Sequence, residues 1–407
     1  MRLAGRIELQ RLLPVLLLAA AACGTSAGQS IPTPTPTAGT PLTTAVLVAS
    51  TNAPLRVLGS DGQEHLEYDL ILTNVLTAPA TLTAIDVLGP DGAPLLHLEG
   101  TDLAAQMQQL TGGDPMVPAE IPVSGTLATV MDVVLPAGEV PERLGHRISY
   151  TIPDVFAAAI IGSRTIDGPE LAVDPRVPIV LAPPVRGPGW LNANGCCIAP
   201  APHRLTRLVV DGASWRKIET FAIDWVTLRE GRLFEGDGTR SEQWFAYGEE
   251  VVAAAAGTVV SMRDGVADQT PHQPPVGIHT PRDFAGNYVV IQIAPDVWAA
   301  YAHLLPGSVE VQVGDRVTVG QRLGLLGNTG NSSAPHLHFQ LCDGPEILTS
   351  NSLPFVFSDY TLSGTIDGNL LGPAMNNPDA QPLVVTGPAQ AQSDTHPLVL
   401  TVADFGG

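Results

Sequence analysis

This 407-residue chain shows no long helical periodicity; short alternating apolar runs closed by turn residues recur instead. Between residues 44 and 180 the runs are "TTAVLVAS", "LEYDLILTNV", "ATLTAIDVLG", "GTLATVMDVVL" and "HRISYTI", separated by turn signals such as "GSDG" and "GPDG". Side chains alternate between faces along a strand, so such runs bury one face and leave the other polar. Their spacing predicts an antiparallel β-sandwich over 44–180. "LAPPVRGPGWLNANGCC" at 181–197 marks a boundary, and 182–407 reads as a second β-rich unit. There "RLTRLVV-DG-ASWRKIETFAIDW" predicts a hairpin with a two-residue Asp211-Gly212 turn. "EEVVAAAAGTVVSM", "GNYVVIQI" and "VWAAYAHL" supply further strands, residues 366–388 read as loop, and "HPLVLTVADF" reads as a final returning strand. The expected fold class is all-β throughout.

The first 22 residues have a basic start with Arg2, Arg6 and Arg11, an apolar core and small residues before Cys23. This is the pattern of an export signal, and the core is short for a membrane span. The "AAAC" ending resembles a bacterial lipobox, which implies acylation of Cys23; a plain signal peptide cut near "GTSAGQS" is the other reading. Residues 23–43 form a Thr/Pro-rich linker that would hold a folded body away from a membrane. The expected location is therefore extracytoplasmic, with membrane contact only through an anchor at Cys23. The net charge of −20 disfavours nucleic acid and polybasic membrane binding. Of the other cysteines, Cys196, Cys197 and Cys342, neighbours are expected not to pair with each other; one of them bonded to Cys342 is possible, leaving an odd thiol.

The chemistry is carried by "GNTGNSSAPHLHFQL", residues 327–341, in which His336 and His338 stand at i and i+2. In a strand these two imidazoles share a face, about 7 Å apart, within reach of one metal ion. Taken with "FAIDW" around Asp224, "GEEVVAAAAGTVV" and "YAHLLPGSVEVQVGDRVTVGQRLGLLGNTGNS", the segment resembles the catalytic domain of peptidase family M23, the lysostaphin/LytM-type zinc peptidases. The similarity is collinear over roughly residues 200 to 360. It implies a compact antiparallel β peptidase domain, a Zn²⁺ cofactor, and the peptide part of peptidoglycan as substrate. It also implies that Asp224 and His338 are metal ligands, and that His336 and His303 flank the metal in catalysis. His336 would be the general base and His303 a hydrogen-bond donor to the oxyanion.

One position departs from the family. Its first ligand is a histidine four residues before the aspartate, and here that place holds Thr220. A hydroxyl is a poor substitute for imidazole at zinc. If Asp211-Gly212 is a two-residue turn, His203 lies across the hairpin from Thr220 and could supply the missing imidazole. If it does not, the domain is a degenerate module that binds cell wall or activates a partner hydrolase. His65, His97 and His146 read as surface or satisfied histidines, and His272 and His279 as solvated loop residues or groove lining. "VQVGDRVTVGQRLG" is also similar to biotinyl and lipoyl carrier half-motifs, but the sole lysine, Lys217, falls in a predicted strand rather than at an exposed turn.

Overall fold

The computed structural model describes residues 43–406 apart from 114–116 and 199–200. The expected export signal, Cys23 and all but the last residue of the linker lie outside the described residues. No helix among them is long and apolar enough to cross a membrane.

All five N-terminal runs become strands: Val46–Ser50, Gln63–Asn74, Ala80–Leu88, Thr126–Pro136 and Arg143–Thr151. The first, second and fourth join one antiparallel sheet, and the third and fifth another. Alternation along Gln63–Asn74 sends Leu66, Tyr68, Leu70 and Leu72 into a core shared with Ile85, Val87, Ile148 and Tyr150 of the other sheet. Each fully buried side chain of this kind contributes about 1.5–3 kcal/mol.

The other face of that strand departs from the simple alternation rule. Its polar residues should meet water, yet His65, Glu67 and Asp69 are 5%, 0% and 0% exposed. Residues from the second half of the chain cover them. Glu67 faces Arg204 at 2.5 Å, and Asp69 faces Arg207 and Lys217, each at 2.9 Å. Lys217 lies just beyond the short strand Ser214–Arg216, buried among these partners. An unpaired charge at such a site would cost several kcal/mol, so each group needs its partner to be there at all.

The C-terminal half is built on one large sheet whose central neighbours are Gly187–Asn194, Ile223–Thr227, Leu337–Cys342, Val297–Ala302 and Tyr288–Ala294, in that order. One face carries the core: Ile223, Trp225, Leu337, Phe339, Ala299 and Tyr301, packed on Phe355 and Phe357. The alternate positions, Asp224, His338 and Ala302 among them, are thereby turned to the opposite face. Thr401–Phe405 returns between Gly187–Asn194 and Phe355–Thr365, as the C-terminal run suggests. Within the expected loop 366–388 there is instead a helix, Gly368–Asn376, started by the Asp367 side chain accepting from the Asn369 amide.

Two further expectations are corrected. The hairpin is confined to Leu208–Val210 and Ser214–Arg216, with Val210 opposite Ser214. The turn therefore has three residues, with Asp211 and Gly212 at positive φ, and His203 is not in a strand at all. It belongs to a single helical turn, Pro202–Leu205. Cys196 and Cys197 are bonded to each other, at a bend where neighbouring side chains need not diverge as they do in a strand. Cys342 is a buried free thiol whose sulfur accepts from Gln340 Nε2.

His65 gives this fold a pH signature. Burial would depress its imidazole, but hydrogen bonds and charge from Asp132 and Asp61 push it up to about 10. Its folded value exceeds its unfolded value, so its contribution is full below about pH 6.5 and is lost as pH rises towards 10. Lys217, which burial first and foremost pulls down to about 8, works in the opposite sense above that pH. Between pH 6.5 and 8 the wild-type chain should therefore lose about 1–2 kcal/mol that a His65→Gln variant does not lose. Urea unfolding at these two pH values measures it; parallel slopes for the two proteins would refute the assignment.

Candidate metal centre

Sheet register assembles most of the site. Asn194 stands opposite Asp224, Asp224 opposite His338, and His338 opposite Ala302. Directly paired residues share a face about 5 Å apart, so one row crosses four strands. His303 follows at the end of its strand with φ of +65°, and its amide donates to Ala285 O at 3.0 Å. A histidine held in this left-handed region is strained by about 1 kcal/mol or more, a cost that accumulates at functional sites. His336 immediately precedes the strand Leu337–Cys342; its ring lies 4.6 Å from that of His303 between centroids. His203 arrives from outside the sheet. Its ring lies 5.0 Å from that of His338, and its amide donates to Asn194 Oδ1.

Hydrogen bonds fix the tautomer of each imidazole, because carbonyl and carboxamide oxygens only accept. His203 Nδ1 donates to Ala222 O, His303 Nδ1 to Thr329 O, and His336 Nδ1 to Ala334 O. His338 differs: its Nε2 donates to Gln340 Oε1 at 2.7 Å. The remaining nitrogens are bare when the rings are neutral. Three of them face Asp224: His203 Nε2 at 3.2 Å, His338 Nδ1 at 2.9 Å and His336 Nε2 at 3.5 Å. Asn194 Nδ2 donates to the same carboxylate at 3.0 Å.

Lone pairs facing a carboxylate repel unless something positive lies among them. Burial would push the His203 imidazole down, but the adjacent Asp224 charge carries it up to about 9. Burial would likewise raise Asp224, but His203 and His336 hold it well below the usual carboxylate range. Positive charge here, on a protonated His203 or on a bound cation, offsets the Asp224 carboxylate. Ligand atoms of His203, Asp224 and His338 all lie within 4.8 Å of one another. Two imidazoles and a carboxylate are a donor set that zinc accepts, with a fourth position left open. Second-sphere acceptors on the far nitrogens, as at His203 and His338, are the usual way such ligands are oriented.

The geometry alters one expected role. His303 Nδ1 carries the proton given to Thr329 O, so its other nitrogen is a proton acceptor in the neutral ring. Burial, with His336 and His338 nearby, keeps His303 well below the ordinary histidine range. It can donate to an oxyanion only after it has taken up a proton. His336 is also lowered by burial, but Asp224 opposes that shift and favours its protonated form. Thr220 is buried in the turn before Ile223–Thr227, its hydroxyl without a hydrogen-bond partner. His272 is partly exposed and packs on Phe234 and Trp244. His279 is exposed. In the N-terminal part His65 and His146 are buried and hydrogen-bonded, and His97 pairs with Asp86 at the surface. Asn194 and Gln340 escape a sequence reading; the only signal for Gln340 is its place two residues after His338, on the same strand face.

Residues 243–347 match the model of Peptidase family M23. That segment contains His303, His336 and His338 but begins after His203 and Asp224. The chain is 41% identical over 83 residues to the peptidoglycan DD-endopeptidase ShyA of Vibrio cholerae, covering 20% of this chain and 17% of that protein. It is 58% identical over 40 residues to the glycyl-glycine endopeptidase ALE-1 of Staphylococcus capitis, covering 10% of each. The chain thus spans less than a fifth of the length of these relatives. Among solved structures, the catalytic domain of lysostaphin from Staphylococcus simulans aligns with 20% identity over 41% of this chain and 84% of that one, at a TM-score of 0.21. The segment 243–347, which supplies three of the four site histidines, His338 from a strand and His303 and His336 from positions next to strand ends, matches a Peptidase M23 domain.

Proposed function

We propose that this chain is an extracytoplasmic zinc metalloendopeptidase that hydrolyses peptide bonds in peptidoglycan cross-links or stem peptides. The observation that carries this reading is the convergence of His203 Nε2 and His338 Nδ1 on the Asp224 carboxylate. With His203 in that position the departure at Thr220 no longer leaves the ligand set one imidazole short, which favours an enzyme over a degenerate cell-wall-binding or activating module. The substrate class follows the relatives, two of which are named as peptidoglycan DD-endopeptidases and one as a glycyl-glycine endopeptidase.

His203, Asp224 and His338 would hold the ion, which when bound would acidify a water and polarise the scissile carbonyl. His336 then serves as general base. Its Nε2 is bare, its ring is fixed by Ala334 O and Ser332 Oγ, and Asp224 stabilises the imidazolium that forms. His303, the less basic of the two, can receive the proton that His336 takes from the water and pass it on to the leaving amine. The export signal, linker and Cys23 supply the route to the cell wall, with acylated Cys23 as membrane anchor.

His203→Ala, Asp224→Ala and His338→Ala should each lose the stoichiometric zinc retained by wild type, and chelation should lower the melting temperature of wild type but not of these variants. His336→Ala should keep one zinc while kcat on a muropeptide falls about 10²–10⁴-fold. Metal analysis of the purified proteins decides it: a wild-type chain that binds no zinc near neutral pH ends the enzymatic reading, and loss of metal in His336→Ala reverses the assignment within the pair. Cys23→Ser should move the protein from the detergent to the aqueous phase; equal aqueous recovery of both forms would remove the anchor from the proposal.

A further inference from the structure

The three candidate ligands are held by different means. Asp224 and His338 are paired with each other in adjacent strands, and each strand has a second neighbour on its far side. His203 belongs to a four-residue helix, which has no stability of its own. Beyond Asp224 and the edge-on contact with the His338 ring, its contacts with the centre are the amide bond to Asn194 and the Nδ1 bond to Ala222 O. The next residue, Arg204, is 1% exposed and points the other way, into the N-terminal sheet. There its two terminal nitrogens meet the two oxygens of Glu67 at 2.6 and 2.5 Å. They also donate to Cys197 O at 2.9 Å and Met131 O at 3.3 Å. From the opposite side Lys217 Nζ donates to the Arg204 carbonyl at 2.7 Å while bonding Asp69. Arg207 closes the group through Nε to Asp69 Oδ2 at 3.0 Å.

We propose that the N-terminal sheet completes the metal centre: Glu67, with Asp69 beside it, is a positioning residue that holds the Pro202–Leu205 turn so that His203 meets Asp224. This inference rests on the zinc reading above and assigns the N-terminal part a function in it. Arg204 gives one hydrogen bond to Glu67, from Nη1 to Oε1, with Nη2 and Oε2 in ion-pair contact, and its planar donors also meet two carbonyls, which fixes its orientation as well as its distance. Loss of a partner that orients a metal ligand typically weakens metal binding 10–100-fold.

The test is a zinc-affinity cycle on the full-length protein, read by chelator competition and by the visible spectrum of the cobalt-substituted form. Glu67→Gln should weaken zinc at least about tenfold and reduce the intensity of the tetrahedral cobalt bands. In a His203→Ala background the same change should have no further effect, because its route to the metal is gone. Should Glu67→Gln fail to fold through its unpaired arginine, the Glu67→Gln/Arg204→Met variant removes both charges, and it should show the same loss. Ile85→Ala, a cavity in the N-terminal core away from the pair, should lower the melting temperature and leave zinc affinity unchanged. Equal losses in the wild-type and His203→Ala backgrounds, or unchanged affinity and spectrum in the Glu67 variants, would overturn the proposal. If wild type itself binds no zinc, it is the zinc reading that fails.

Discussion

A single carboxylate sets the terms for the functional face of this protein. Asp224 is almost enclosed, yet apart from Asn194 Nδ2, which donates to it, the nitrogens around it belong to imidazoles that in their neutral tautomers can only accept. Such an arrangement is unfavourable by itself and becomes favourable once positive charge is placed within it. The surrounding hydrogen bonds are organised to preserve it: every imidazole gives its proton to an acceptor on the outside of the ring of residues. The sheet register that lines up Asn194, Asp224 and His338 provides the rigidity. Residues behind the sheet, from Trp225 to Phe357, form the floor on which that rigidity depends.

What could be read from the sequence divides along physical lines. Period-two alternation located the N-terminal strands because each buries one face by local rules. The His336–His338 spacing suggested a shared face for the same reason, and the neighbouring "YAHL" and "GNTG" segments gave that pair its meaning. Alternation could not show that the polar face of Gln63–Asn74 is itself buried. Nothing near Glu67 in sequence pairs with it; its partner lies 137 residues away. Gln340 and Asn194 were invisible for a similar reason, being ordinary polar strand residues until the sheet places them beside an imidazole or a carboxylate.

His203 is the instructive case. The two-residue turn and the strand pairing expected to carry it do not exist. The turn is one residue longer, and the histidine reaches the centre on a helical turn. A register argument fails on a single inserted residue, whereas the chemical requirement for another imidazole does not depend on register. The geometry brings the proposed imidazole beside Asp224 by a different path.

The buried polar face of Gln63–Asn74 also bears on how such a chain can change over time. Units joined by an apolar seam can be exchanged or duplicated, since many surfaces of similar shape will serve. Here each side of the seam carries charges that only the other side neutralises. A recombination event that paired either half with an unrelated neighbour would leave carboxylates or guanidinium groups in a dry interface without a counter-charge. The two halves are therefore constrained to be inherited together, and substitutions at 67, 69, 204, 207 and 217 should be accepted in compensating sets rather than singly.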